Sequence, residues 1–191
     1  MLTLRRPLIL ASNSPRRQQL MKEAGFEFRV EVRSTEEDFP LDMPPAEVAE
    51  YLARHKAEQF SRDLGEELVL CADTIVVVDS TILNKPADAA EAGTMLRMLS
   101  GRTHQVITGL CLLSGEGSQV VSDVAHVTFR ELVQMEIDYY IQQYRPFDKA
   151  GAYGIQEWIG MVGIERIEGS YYTIMGLPVH KVYQLLKSYV R

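Results

Sequence analysis

Apolar residues along this chain form short continuous runs and helical stripes, punctuated by single glycines and prolines. Residues 8–11 are an unbroken apolar run, the pattern of a strand covered on both faces. Ser14-Pro15 follows as a helix start, because Ser can cap free amides and Pro suits the first helical position. Leu20, Met21 and Ala24 give that helix one apolar stripe, and Gly25 ends it. Phe28, Val30 and Val32 alternate with charged residues, predicting a half-exposed strand. After Pro44-Pro45, the residues Val48, Ala49, Leu52, Ala53, Ala57 and Phe60 recur at helical spacing. A buried strand is predicted over residues 68–72, and residues 75–78 with 81–83 predict a hairpin across Asp79-Ser80. Asp73 falls between these two runs.

Asp88 and Glu91 predict a capping box for a helix through Leu99, closed by Gly101. Two longer strands, about residues 104–113 and 119–129, flank the turn Gly115-Glu116-Gly117-Ser118. Residues 135–144 are amphipathic and predict a helix, whereas residues 149–156 are too rich in glycine for a regular element. A strand pair around Gly169-Ser170 is expected next. Pro178 then opens a last helix with Val182, Leu185 and Leu186 inward. Strands and helices are interspersed, with no internal repeat or linker. The expected class is α/β, a mixed twisted sheet with flanking helices, in one domain over residues 1–191 with room for two lobes.

Composition narrows the function classes. With 46% hydrophobic and 24% charged residues in 191, the chain has the balance of an ordinary globular protein. Twenty Lys and Arg against twenty-six Asp and Glu leave a net charge of −6, so no global electrostatic footprint for nucleic acid exists. A polyanionic partner would have to meet a local basic site. Cys71 and Cys111 stand in separate apolar runs without CxxC spacing, which argues against a disulfide framework or zinc knuckle and fits a reducing cytoplasm. The apolar runs are far shorter than the roughly twenty residues of a membrane-spanning helix, so no membrane crossing is expected. The N-terminal run is read as the first strand and not as a signal peptide.

Four polar clusters stand at expected element ends, where open α/β sheets place ligands. In Ser12-Asn13-Ser14-Pro15-Arg16-Arg17, a strand-to-helix turn aims free amides and the positive dipole end at one point, and two arginines add bidentate phosphate donors. Spacing alone leaves phosphate binding and plain capping with solvated arginines both open. Glu36, Glu37 and Asp38 repel one another, and by themselves describe a solvated loop. Asp73, at the mouth of the strand expected over residues 68–72, suits a metal ligand or general base more than a turn cap. Lys85-Pro86, with Lys56 as a companion, offers compact charges for phosphate oxygens. Together these are the parts for a nucleoside triphosphate and a hard cation, since Mg²⁺ binds through one or two carboxylates plus phosphates and waters. The chain has no GxxxxGK[ST] loop and no GxGxxG fingerprint, and His55, His104, His126 and His180 lack HExxH spacing. The histidines are expected on the surface or in strands.

The segment Ala11-Ser12-Asn13-Ser14-Pro15-Arg16-Arg17 resembles the A-S-x-S-P-R-R signature of the Maf family of nucleoside triphosphate pyrophosphatases. Glu36-Glu37, Leu52-Ala53-Arg54-His55-Lys56-Ala57, Ala72-Asp73-Thr74 and Lys85-Pro86 are similar to further family motifs in family order. So are Leu99-Ser100-Gly101-Arg102-Thr103-His104, the run from Asp148 to Gln156, and Met175-Gly176-Leu177-Pro178. The resemblance implies hydrolysis between the α and β phosphorus atoms, giving a monophosphate and pyrophosphate. It also implies a divalent cation (Mg²⁺ or Mn²⁺), a cytoplasmic location, two lobes around a central cleft, and a homodimer. Carried over by position, Asp73 is the general base and Glu37 helps hold the metal, with Asp73 also a metal ligand. Ser12, Arg16, Arg17, Lys56 and Lys85 hold the triphosphate, Lys56 and Lys85 acting in catalysis. Arg16, Thr74 and Gln156 match the dTTP and UTP branch better than the 7-methyl-GTP branch, and a side-chain amide such as Gln156 can pair with a uracil-type edge. Three rivals stand beside this reading: a non-catalytic nucleotide-binding regulator of septum formation and cell division, a 7-methyl-GTP pyrophosphatase, and a house-cleaning enzyme for modified nucleotides.

Overall fold

The computed structural model describes residues 2–191. Among the described residues, seven strands and seven helices follow one another as β1 (Leu8–Leu10), α1 (Pro15–Glu23), β2 (Arg29–Val30), α2 (Pro45–Glu58), β3 (Leu68–Val78), β4 (Thr81–Leu83), α3 (Ala89–Leu99), β5 (Thr103–Ser114), β6 (Gly117–Phe129), α4 (Gln134–Tyr144), α5 (Trp158–Gly163), β7 (Ile164–Glu168), α6 (Tyr171–Ile174) and α7 (Val179–Leu186). The strands form a mixed sheet in the order β2-β1-β3-β5-β6-β7, with β4 paired to β3. This is the mixed α/β class the sequence predicts. The chain divides into two compact units. Among the described residues, the first holds residues 2–73, 108–123 and 176–191, and the second holds residues 74–107 and 124–175.

In the first unit β1 lies parallel to both β2 and β3, with Leu8, Ile9 and Leu10 opposite Leu68, Val69 and Leu70. Ile9, Ala11, Ala53, Ala57, Phe60, Val69, Cys71, Cys111 and Leu113 make its core, so both cysteines serve as small apolar residues. Burial pushes the Cys71 thiol up to about 12 and the Cys111 thiol to about 11, which keeps both protonated and unreactive. Helix α1 begins as expected: Pro15 is its first residue, and the Arg17 backbone N–H donates to Ser14 Oγ at 3.5 Å. The expected strand near Val30 shrinks to two exposed residues at the sheet edge.

The second unit packs Val76, Leu83, Leu96, Leu99, Val127, Phe129, Ile137, Tyr140 and Ile159 into one core. The hairpin across Asp79 and Ser80 is present, and both residues take positive φ, 47° and 67°, as a two-residue turn between twisted strands requires. Asp88 caps α3 through the Glu91 backbone N–H at 2.8 Å, and the Glu91 carboxylate accepts from the Ala87 N–H at 2.7 Å.

Two expectations are corrected. No strand pair forms around Gly169-Ser170: β7 ends at Glu168 and pairs antiparallel with β6, and residues 171–174 are a helical turn. Gly169, at φ +112°, allows the chain to leave the sheet where any Cβ would come within 2.9 Å of the Ala125 Cα. Strand β3 also does not stop at residue 72, so Asp73 and Thr74 lie inside one eleven-residue strand. No glycine or proline separates the two apolar runs, and β-branched Thr74, Ile75 and Val76 favour continued extension. Helix α5 was not foreseen from the sequence pattern.

Candidate functional site

In the first unit, Lys56 gathers the acidic residues. Its Nζ donates to Asp73 Oδ1 at 2.5 Å and to Glu37 Oε1 at 2.8 Å. Helix spacing explains how: Val48, Ala49, Leu52, Ala53 and Ala57 bury one face of α2, and Lys56 leaves its flank with a largely covered stem. Strand β3 fixes the Asp73 backbone, and only 8% of the residue is exposed. Of the three adjacent acids, it is Glu37 that meets Lys56. Burial opposes the Lys56 charge, but Asp73 and then Glu37 outweigh it, and its pKa lies above the ordinary lysine value.

Arg17 meets the backbone of β3 at the residue before Asp73. Its Nη1 donates to the Ala72 carbonyl oxygen at 2.8 Å and to Ser12 Oγ at 3.4 Å, while Nε donates to the Gly176 carbonyl oxygen at 2.7 Å. Ser12 Oγ also accepts from the Ser14 backbone N–H at 3.2 Å. Arg17 therefore ties the turn before α1, the strand beside Asp73 and the Met175-Gly176-Leu177-Pro178 segment together. Burial lowers its pKa, and the nearby Asp73 charge works against that lowering. Arg16, half-buried in the first turn of α1, adds a second positive charge near it. Two cations at the positive end of a helix dipole repel each other and the dipole, an arrangement that an anion would relieve.

Ser12, Arg16, Arg17, Glu37, Lys56 and Asp73 thus belong to the first unit and form one network of contacts and charges. Thr74, Lys85 and Gln156 belong to the second unit: Thr74 is half-buried next to Asp73 in β3, Lys85 follows β4, and Gln156 is exposed on the loop after a short 3-10 turn at residues 150–152. Among the described residues, no three His, Cys, Asp or Glu side chains cluster as a closed metal cage. Two carboxylates converging on one ammonium nevertheless suit a hard cation that takes its remaining ligands from phosphate and water.

The loop carrying Gln156 is held by residues that sequence pattern did not single out. Tyr140, fully buried on α4, accepts at its hydroxyl from the Gly154 backbone N–H at 2.9 Å and donates to the Glu157 carboxylate. Lys149 Nζ, on a side chain only 8% exposed, lies 3.1 Å from Glu157 Oε1 and 2.7 Å from Asp148 Oδ1. Glu157 and its carboxylate push the Tyr140 phenol up, after burial itself. His104, expected on a surface or strand, is in β5 and almost wholly buried, with Nε2 2.7 Å from the Tyr153 hydroxyl. The ring also stacks on Phe129. The available signal is that Tyr140 is a polar-tipped group on the apolar face of its helix, with Ile137 and Ile141; no pattern marks Lys149.

Comparison with known proteins follows the same motifs. The model of the Maf-like protein family matches residues 7–189. A dTTP/UTP pyrophosphatase of Cytophaga hutchinsonii is 47% identical over 175 residues, covering 92% of this chain and 80% of that protein. Another from Porphyromonas gingivalis is 48% identical over 188 residues, covering 95% and 94%. A third, from Flavobacterium psychrophilum, is 45% identical over 180 residues, covering 94% and 92%. A basic turn, an acid-holding lysine and a strand aspartate, set in a sequence matched almost from end to end, place this chain in the Maf family.

Proposed function

We propose that this chain, as a single Maf-like domain, hydrolyses dTTP and UTP to the monophosphate and pyrophosphate. The observation that carries the reading is the Lys56 ammonium held against both Asp73 and Glu37 beside the arginines of the α1 turn. The names of its relatives supply the substrates. Asp73 takes the proton of the attacking water, a role suited to a carboxylate on rigid backbone with one oxygen already fixed by Lys56. Lys56 orients that carboxylate and spreads phosphate charge. Arg16 and the Ser12 turn receive phosphate oxygens, while Arg17 braces the carbonyl just before the base and that of Gly176. Glu37 and Asp73 are the residues that would hold a divalent cation, Mg²⁺ or Mn²⁺, whose chemistry when bound is neutralisation of phosphate charge. Resemblance, and not geometry, assigns Lys85 and Thr74 to the substrate and Gln156 to the pyrimidine base.

The test is release of pyrophosphate from dTTP and UTP with Mg²⁺ or Mn²⁺, with and without a chelator, alongside modified pyrimidine analogues in competition. Metal-dependent pyrophosphate release with dTTP and UTP leading is the expected result. Binding of nucleotide without turnover would overturn it in favour of a regulator, and a better competitor among the analogues would move the substrate to modified nucleotides.

A further inference from the structure

Gln156 is the side chain to which base reading falls, yet it is exposed and sits on a loop rich in glycine. Such a loop loses affinity by being ordered when substrate arrives, unless it is ordered beforehand. One hydroxyl holds the residues on both sides of Gln156. Tyr140, from α4, takes the N–H of Gly154 and gives its own proton to Glu157, so the two ends of the four-residue stretch 154–157 meet on a single buried oxygen.

Three observations show that this closure is tight. The Glu157 N–H donates back to the Gly154 carbonyl oxygen at 3.0 Å. A Cβ added at Gly154 would stand 2.8 Å from the Glu157 carboxyl carbon, so a larger residue there would push that carboxylate off its partners. Lys149, itself buried, holds the opposite oxygen of the same carboxylate. Tyr153 is anchored separately through its hydroxyl to His104. The aromatic ring of Tyr140 is fully buried in the core of the unit, so packing sets where its hydroxyl stands.

We propose that Tyr140 is a positioning residue for base selection, acting through Gly154 and Glu157 to hold Gln156 in its reading orientation. It does not touch substrate. This rests on the reading of Gln156 as the residue that faces the pyrimidine. Removing the hydroxyl leaves a buried N–H and one carboxylate oxygen short of a partner, and the loop pays for order only when the nucleotide binds.

The test is Tyr140→Phe, which keeps the ring and its packing, compared with Gln156→Ala in the same assays. Tyr140→Phe is expected to raise KM for dTTP and UTP about tenfold, the effect of losing a hydrogen bond to a charged group. It is expected to leave kcat within about twofold. Preference over dCTP should fall by the same factor as KM rises. Thermal unfolding shows whether the variant is folded; should it not fold, Glu157→Gln, which keeps the volume but removes the charge that strengthens the bond from Tyr140 and pairs with Lys149, is expected to shift KM in the same direction. Equal losses on every nucleotide, or an unmoved KM in the folded variant, overturn the proposal. Where Gln156→Ala changes preference but Tyr140→Phe and Glu157→Gln do not, only the positioning role falls. Where Gln156→Ala leaves preference intact, the base reading itself falls and the role of Tyr140 with it.

Discussion

A carboxylate that must accept a proton works only while its oxygens are held in place, and Asp73, the proposed base, has Lys56 on one oxygen and Arg17 bracing the preceding carbonyl. Asp73→Asn keeps that side chain's size and removes its basicity, leaving Lys56 and Arg17 in place. Turnover of dTTP is expected to fall about a thousandfold while nucleotide affinity changes little, because general-base contributions are of that order. Steady-state rates with saturating metal, beside equilibrium binding, check this; unchanged turnover would remove Asp73 from the chemistry. His104 supplies a second prediction. Burial pulls its imidazole down to about 4 from 6.5, so as pH falls through 6.5 the unfolded chain gains a proton that the native chain refuses. The stability owed to neutral His104 is complete above that value and is lost as pH falls towards 4. Between about pH 7 and pH 5 the loss is about 2 kcal/mol. In His104→Gln this portion should vanish, as urea unfolding at the two pH values would show; identical pH dependence in both proteins contradicts the account.

Elements meet more closely than their apolar stripes alone require. In the first unit, β5 presents Gly109 to α2, and a Cβ built there would lie 2.3 Å from the Ala49 carbonyl carbon and oxygen. The helix that carries Lys56 therefore rests backbone against backbone on the strand. Gly109→Ala is expected to destabilise the fold by about 3 kcal/mol, at the upper end of overpacking costs. It should also lower activity by displacing Lys56. Thermal unfolding and turnover measured on the same sample check both, and a variant as stable as the parent would show that α2 can shift without cost. A glycine inside a strand pattern marks close backbone approach, a signal present in the sequence beside the run that predicted this strand. Capping was legible for a different reason. Ser14-Pro15 and Asp88 with Glu91 act on amides within four residues of themselves, so no knowledge of the rest of the chain is needed. The turn into α6 defied its β-favouring Tyr171, Tyr172 and Thr173, because the preceding strand had already found its partner in β6 and ended.

At the scale of the whole molecule, a chain of net charge −6 sets Arg16 and Arg17 in the turn into α1 and Lys56 on α2, with Arg17 and Lys56 in contact with the strand of Asp73. Among the described residues no helix is long and apolar enough to cross a membrane, in line with the short apolar runs. By itself, the sequence determined the class of the fold, the caps and turns, and the family, because those depend on neighbours in the chain and on motifs kept in order. Tertiary structure decided which groups meet. Glu37, and not Glu36 or Asp38, faces Lys56 across nineteen positions, and Arg17 reaches the Gly176 carbonyl across 159. It also joined the two predicted runs into one strand with Asp73 inside it, and gave Tyr140 its grip on the loop of Gln156. Side-chain pairing over such separations follows from the path of the backbone and the packing that fixes it, and neither periodicity nor local propensity contains that path.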